Sequence, residues 1–292
     1  MTIAEAAQAG REHLAALGID EAGITAEVLL RHTLQLDRTA LYIAWDRPLE
    51  AAAWTRYQAL LAERARGRPV AYIVGSREFM GLSFQVDERV LIPRPETEVV
   101  VHVVLEALAH TAAPVIADVG TGSGAIGISL AALRPDARVV ATDISAPALE
   151  VARANAARHG VADRMAFIEG DLLRPLVAAG LRLDAVACNP PYVPAEAVGT
   201  LPAEIRNFEP PLAVIAPPDG ADSLYTRLAD GASRLLKPGG WLVVEVSAGQ
   251  APRVVELLHR AIGYEAIQTH RDGLGWERVV AARWGAAREA VG

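Results

Sequence analysis

Two residue types that carry much of protein chemistry are nearly missing from this chain: its 292 residues include one cysteine, Cys188, and one lysine, Lys237. A single thiol excludes a disulfide framework and any zinc or iron–sulfur centre held by several thiolates, and it fits a reducing, cytoplasmic setting. The lysine lies in Lys237-Pro-Gly-Gly240, which reads as a helix exit before a strand, so a Schiff-base nucleophile is not expected there. Positive charge is not in excess: 28 Lys and Arg against 35 Asp and Glu leave a net charge of −7, and no global field draws the chain onto nucleic acid. The histidines, from His13 to His270, show no metal-ligand spacing, so no catalytic metal is expected. Uninterrupted apolar runs are also lacking. Glu5, Arg11 and Glu12 break up the N-terminal stretch, which excludes a signal-peptide core there. The most apolar long window, residues 115–133, holds Asp118 and four glycines, which suit a tight turn better than a bilayer helix. No membrane segment is expected.

At roughly 150 residues per domain, the length points to about two domains. Residues 1–68 carry helical spacing, with one stripe from Ile3 to Leu17, a second from Val28 to Leu34, a short helix around 40–45 and a third long one over 51–66, stopped by Gly67 and Pro69. Eight Arg and nine Asp or Glu in this segment give it no basic face, and a docking or merely stabilising bundle is expected. Over 69–95 the texture changes to alternation: Phe79, Leu82, Phe84 and Val86, then Val90 to Ile92, with a turn expected at Asp87-Glu88, so this segment reads as a hairpin linker. Beyond it, strand-like runs at 115–119, 138–142, 165–168, 183–188 and 241–246 alternate with helical stretches, the order of a doubly wound α/β fold with a parallel sheet. Two more strands, 265–269 and 278–282, have no helix between them and are expected as an antiparallel pair at the sheet edge. The main domain is therefore set at 96–285, with a tail over 286–292.

The first strand of that domain runs into Asp118-Val-Gly120-Thr121-Gly122-Ser123-Gly124-Ala-Ile-Gly127. Glycines there allow positive φ and close approach of the backbone to a ligand, and the following helix opens with free N–H groups. Gly122, Gly124 and Gly127 also satisfy the dinucleotide fingerprint, with Asp143 about 20 residues on, so this motif alone does not separate NAD from an adenosyl sulfonium. Asp118 tilts the choice, because a carboxylate suits an ammonium group and repels a pyrophosphate. Asp143 closes the second strand, where it can accept ribose hydroxyls, while Ser145 serves as the helix cap. Asp171, after the third strand, stands where an acceptor can meet an adenine amino group, or caps a helix.

The most informative tetrapeptide, Asn189-Pro190-Pro191-Tyr192, directly follows the apolar run ending at Cys188, at the carboxyl end of the fourth strand. Two prolines stiffen the loop and leave carbonyls free as acceptors. The Asn189 amide oxygen and the Pro190 carbonyl can accept both hydrogens of a planar NH2 group and hold its nitrogen toward a methyl donor, with Tyr192 stacked on the flat group. An amide or exocyclic amine is a poor nucleophile, so positioning and acceptor dipoles supply much of such catalysis.

Together with Leu91-Ile-Pro-Arg-Pro-Glu-Thr-Glu98, Val70-Ala-Tyr-Ile-Val-Gly75, Arg77-Glu-Phe79, Arg271-Asp272 and Glu277-Arg278, these motifs make the chain resemble, over nearly its full length, the release factor glutamine methyltransferase (PrmC/HemK) family. The resemblance implies a Rossmann-like, seven-stranded methyltransferase sheet behind a small N-terminal helical, substrate-docking domain. It also implies S-adenosylmethionine as donor, S-adenosylhomocysteine as product, and N5 of the Gly-Gly-Gln glutamine of peptide-chain release factors as acceptor. By the same resemblance, Asp118, Gly120 to Gly124, Asp143, Asp171, Leu172 and Asn189 hold the cofactor. Asn189, Pro190, Pro191 and Tyr192 bind the glutamine, with Asn189, Pro190 and Tyr192 catalytic. Where relatives often set an aromatic ring against the adenine, this chain has Leu172, and apolar contact replaces stacking. Pro93 to Thr97 is expected to border the cofactor pocket or to act as a linker, and Phe208-Glu209-Pro210 to wall the substrate cleft or pack as a loop. A monomeric cytoplasmic enzyme without direct nucleic-acid binding is expected. Three other readings stay open: an adenine amino-group methyltransferase on nucleic acid, a nicotinamide-dependent oxidoreductase, and a non-enzymatic docking module.

Overall fold

The structure, a computed structural model, describes residues Met1–Gly285, so the expected tail at 286–292 lies outside the described residues. In chain order the elements begin with helices α1 (Ile3–Ala16), α2 (Ala22–Leu34), α3 (Arg38–Ile43), α4 (Ala51–Ala65) and α5 (Val70–Val74), then strands β1 (Ser76–Phe79) and β2 (Leu82–Gln85). Next come α6 (Glu98–Ala107), β3 (Val115–Val119), α7 (Ala125–Leu133), β4 (Arg138–Asp143), α8 (Ala146–Arg158), β5 (Met165–Glu169), α9 (Arg174–Ala178) and β6 (Leu183–Cys188). The last third holds α10 (Ala203–Phe208), α11 (Pro211–Val214), α12 (Gly220–Leu235), β7 (Leu236–Glu245), α13 (Ala251–Arg260), β8 (Tyr264–Arg271) and β9 (Glu277–Trp284). These form two units, one of Met1–Ser76 with Pro202–Phe208, the other of Arg77–Leu201 with the chain from Glu209 on.

In the helical unit a capping box starts α1: Thr2 Oγ1 accepts from the Glu5 N–H at 3.2 Å, and Glu5 accepts from the Thr2 N–H at 2.8 Å. The expected stripes meet in a core of Leu14, Leu29, Leu30, Leu41, Tyr57 and Leu61, against which α5 adds Val70, Ile73 and Val74. Tyr57 is fully buried and donates to the Ala26 carbonyl at 3.0 Å. Its ring needs Gly10 opposite, since a Cβ there would collide with the phenol. The short helix α10 returns to this unit, where Arg64 pairs with Glu204 at 3.0 Å.

In the second unit the seven strands lie in the order β5-β4-β3-β6-β7-β9-β8, parallel except for β9, which is antiparallel to both β7 and β8. Helices α6, α7 and α8 cover one face, and α9, α12 and α13 the other, whose core includes Ala117, Val119, Val186, Leu228 and Val254. The edge pair β8–β9 is the expected antiparallel hairpin. Among the described residues, no helix is long and apolar enough to cross a membrane.

The first hairpin departs from expectation. Its turn is Met80-Gly81, not Asp87-Glu88, and residues 90–92 form no strand. Met80 and Gly81 both have positive φ, 50° and 72°, the backbone of a two-residue turn whose twist matches the strands it joins. Asp87 instead closes a local turn, accepting the Val90 N–H on its carbonyl at 3.1 Å. Phe84 is fully buried, edge-on to Phe79 with centroids 6.0 Å apart and 5.3 Å from the His159 ring. Next to it, Asn155 of α8 accepts from the Gln85 N–H at 2.7 Å and donates to the Gln85 carbonyl at 2.9 Å. Phe84→Ala is expected to lower the unfolding free energy by about 3–5 kcal/mol, the usual loss for a fully buried ring, as measured by chemical denaturation.

Candidate active site

A parallel sheet opens where its strand order reverses, and here β3 has β4 on one side and β6 on the other. The register sets Val119 beside Cys188 and Cys188 beside Val244, so the three strands end level and the segments that follow them share one crevice. A cavity of about 390 Å³ fills it.

The glycine-rich loop makes its floor. Gly120 and Thr121 both donate to the Thr142 carbonyl, at 2.8 and 3.0 Å, which ties the loop to the end of β4. Gly120, Gly122 and Gly124 all have positive φ. A Cβ on Gly122 would meet nothing within 4 Å and would project into the cavity. Asn155 steadies the loop from behind by donating to the Ser123 carbonyl at 2.9 Å. Asp143 stands on the wall with one oxygen accepting from the Gly122 N–H and the other from the Ser145 N–H, each at 2.9 Å, while burial raises its pKa. Asp118 lies beneath the loop rather than on the wall. It is fully buried, and Oδ2 accepts from Thr121 Oγ1 at 2.5 Å and from the Gly127 N–H at 2.8 Å. Oδ1 has no hydrogen-bond partner, and desolvation pushes the pKa up to about 6 against the lowering effect of those two bonds.

On another wall, Leu172 takes a left-handed backbone, φ 51°, held by Thr142 Oγ1 donating to its carbonyl at 3.0 Å. Asp171 is engaged by guanidinium groups on both sides: Arg227 of α12 in a short ion pair, and Arg174 at 3.4 Å. Arg227 itself lines the cavity.

Asn189 and Pro191 line the third wall together with Thr97 and Arg94. Asn189 Nδ2 donates to Thr97 Oγ1 at 3.1 Å. Arg94 pairs with Glu209, which also accepts from the Ile92 N–H at 3.3 Å. The loop beyond Tyr192 is pinned where Val193 N–H donates to the Val214 carbonyl at 3.1 Å and Ala216 N–H to the Val193 carbonyl at 2.8 Å. Behind this wall sits Glu245 at the end of β7, 2 % exposed. Oε1 accepts from the Tyr192 hydroxyl at 3.4 Å, and Oε2 has no hydrogen-bond partner. Desolvation raises its pKa from the ordinary 4.5 to about 7, opposed by the neighbouring Thr97, Arg278 and Tyr192.

Of the residues singled out in the sequence, Gly120, Thr121, Gly122, Ser123, Asp143, Asp171, Leu172, Asn189 and Pro191 line the cavity. Asp118, Gly124, Pro190 and Tyr192 stand behind it and shape its walls from there. Pro93, Arg94 and Thr97 are on the wall, as is Pro210, whereas Phe208 belongs to the helical unit. Sequence reasoning missed Arg227 and Glu245. Glu245 carried the signal that marked Asp143, a lone acid closing an apolar strand; Arg227, in mid-helix, carried none. Among the described residues there is no group of three or more His, Cys, Asp or Glu able to hold a metal ion.

The fold and the crevice are those of a Rossmann-like methyltransferase. The model of the PrmC N-terminal domain matches residues 5–75, and that of the methyltransferase small domain residues 97–204. The release factor glutamine methyltransferase of Moorella thermoacetica is 44% identical, covering 95% of this chain and 97% of that protein. That of Cereibacter sphaeroides is 42% identical over 98% of this chain and all of its own length. The chain belongs to the release factor glutamine methyltransferase family. Among solved structures, the human METTL16 catalytic domain in complex with a MAT2A 3′UTR hairpin shares the fold, with a TM-score of 0.58 at 21% identity, covering 77% of this chain and 81% of that one. A Pyrococcus furiosus methyltransferase does so with a TM-score of 0.52 at 18% identity, covering 80% of this chain and all of that one.

The buried carboxyl makes a prediction about stability. A carboxyl whose pKa is raised on folding contributes stability below its unfolded pKa and loses it as pH rises through the folded value. Glu245→Gln should therefore raise the melting temperature at about pH 8, with the gain shrinking to nothing as pH falls toward 4.5. Melting curves across that range check it.

Proposed function

We propose that the protein transfers the methyl group of S-adenosylmethionine to N5 of the glutamine side chain in the Gly-Gly-Gln motif of peptide-chain release factors. The observation that carries this reading is the state of Asn189: its NH2 group is committed to Thr97 Oγ1, which leaves the amide oxygen as the acceptor end on the cavity wall. An acceptor there suits a ligand that presents hydrogens, as a primary amide does. The names of the relatives point to the same acceptor.

The residues fit the cofactor. Asp143, held rigid by two N–H groups, offers its remaining lone pairs to ribose hydroxyls, and Leu172, Ile144 and Ala148 make an apolar slot for the adenine. The bare face of Gly122 leaves room for the rest of the molecule, and the unpartnered Oδ1 of Asp118 keeps negative charge beneath the loop that would carry a cationic donor. When bound, the sulfonium supplies an electrophilic methyl group. Asn189 and the Pro190 carbonyl take the two amide hydrogens and so fix the nitrogen's position and its plane. Accepting both hydrogens also favours the charge that builds on nitrogen as it is alkylated, so the loop stabilises the transition state more than the ground state. The stiffness of Pro190-Pro191 keeps these acceptors aimed without reorganisation. The cytoplasm, where a buried thiol such as Cys188 stays reduced, is the proposed setting.

The test is methyl transfer from labelled S-adenosylmethionine to a purified release factor, beside a version whose Gly-Gly-Gln glutamine is alanine. Label is expected on the first only; equal labelling of both would overturn the reading. Asn189→Ala should cut turnover by roughly two to three orders of magnitude, as loss of an oriented polar group does, with cofactor binding little changed. Asp143→Ala should instead weaken cofactor binding by about ten- to hundredfold, measurable by calorimetry.

A further inference from the structure

Between the glycine loop and β2 of the first hairpin stands one buried amide. Asn155 of α8 is fully buried, and its polar atoms make three hydrogen bonds, all to backbone. Oδ1 accepts from the Gln85 N–H at 2.7 Å, while Nδ2 donates to the Gln85 carbonyl and to the Ser123 carbonyl, each at 2.9 Å. A primary amide has two hydrogens to give, and both are used here, one on each segment. The other buried residues of α8, Ala148, Leu149, Val151, Ala152 and Ala156, are apolar, so Asn155 is the one polar group this helix sends inward.

On the hairpin side the amide stands in for a neighbouring strand, exchanging two bonds with a single residue as an antiparallel partner does. One turn further along α8, the His159 ring lies 5.3 Å from that of Phe84, and its Nε2 is 3.0 Å from the Ser83 carbonyl. Toward the start of the helix, Glu150 accepts from Arg89 at 3.0 Å. The helix therefore grips residues 83–89 along its length, and the chain that leaves this grip supplies Val90 and Leu91 to the cavity lining.

On the loop side the same amide fixes one peptide plane. The carbonyl and the N–H of a trans peptide point in opposite directions. Here the Ser123 carbonyl is held by Asn155, and the Gly124 N–H donates to the Thr121 carbonyl at 2.8 Å. Glycines on both sides of Ser123 make rotation of this plane sterically cheap, so the loop's covalent geometry does not select its orientation. Rotation would break both bonds and leave a hydrogen of the buried amide unpaired, which is the cost that holds the plane in place.

We infer that Asn155 is a positioning residue for the methyl donor: it sets the Ser123–Gly124 peptide plane, and because Gln85 clamps the same amide, the shape of the cofactor loop depends on the docked hairpin. The inference rests on the reading of the glycine loop as the S-adenosylmethionine site. It makes β2 part of the cofactor-binding machinery, although Gln85 itself does not line the cavity.

The experiment uses the full chain and compares wild type with three variants. Asn155→Leu keeps the size of the side chain and removes its bonds, His159→Ala loosens the grip on β2 without touching the amide or the loop, and the third variant combines them. Calorimetric titration with S-adenosylhomocysteine, well below the melting temperature, should give a dissociation constant raised about ten- to hundredfold in Asn155→Leu and about threefold in His159→Ala. In the double variant His159→Ala should add nothing, since its effect travels through the amide. In methyl transfer the loss should fall on KM for S-adenosylmethionine more than on kcat. A dissociation constant within about twofold of wild type in Asn155→Leu, with only the melting temperature lowered, would make the amide merely structural and overturn the inference. Losses that multiply in the double variant would overturn it too. If Asn155→Leu does not fold, Asn155→Ala carries the same comparison.

Hydrogen exchange of the Gly124 amide needs no ligand. It should speed up about ten- to hundredfold in Asn155→Leu while the amides of β6 exchange as in wild type. If wild type binds no S-adenosylhomocysteine and the Gly124 amide responds as described, the cofactor reading is wrong and the coupling stands. If wild type binds it and the Gly124 amide does not respond to Asn155→Leu, the coupling is wrong and the cofactor reading stands.

Discussion

The catalytic unit depends on one topological constraint: the connections that leave β3 and β6 run in opposite directions, to β4 and to β7, so neither crossover covers the carboxyl ends of that pair. A gap is unavoidable there, and the polar backbone bordering it must find partners. Thr142 answers for the glycine loop by accepting two N–H groups on a single carbonyl. Asp143 answers for the next two turns with one carboxylate oxygen each. The same bonds that satisfy the backbone therefore aim the groups that meet a ligand, and binding requires little further ordering.

On either side of β6 a buried acid stands at or next to the end of its strand with one oxygen unpartnered: Asp118 on β3, beneath the cofactor loop, and Glu245 on β7, behind the substrate loop. Neither reaches the cavity wall. Both meet their loop through a hydroxyl, that of Thr121 for the first and that of Tyr192 for the second, so each loop is held by an acid that lies outside water. Water-excluded charge of this kind is worth more than the same charge at a surface, and each acid influences a loop while the loop itself remains electrically neutral.

Much of this was legible in the sequence. Strand runs such as 183–188 and the glycine loop announced the sheet and its crevice because buried parallel strands read as continuous apolar stretches and only glycine tolerates the loop's φ values. Asn189 to Tyr192 stood out for the same local reason. The hairpin turn was misplaced because Asp87-Glu88 looks polar enough to be a turn, whereas Met80-Gly81 became one through backbone twist, to which a hydrophobic pattern is blind. Arg227 was invisible because its partner Asp171 lies 56 residues away, and ion pairs between distant segments leave no periodic trace. Asp118 was read as a carboxylate facing an ammonium group, whereas its place beneath the loop depends on which face of β3 it occupies, and that is decided by packing against Gly127.

The return of Pro202–Phe208 to the helical unit means that this unit is discontinuous in the chain. Its last piece is made more than 120 residues after Ser76, when β3 to β6 have already been synthesised. A domain completed from two such distant segments has a higher contact order than its short helices suggest, and the loop that must close is most of a methyltransferase. During synthesis, then, the helical unit cannot reach its final form as an N-terminal domain folding first and alone; its completion waits on emergence of the chain that follows the substrate loop.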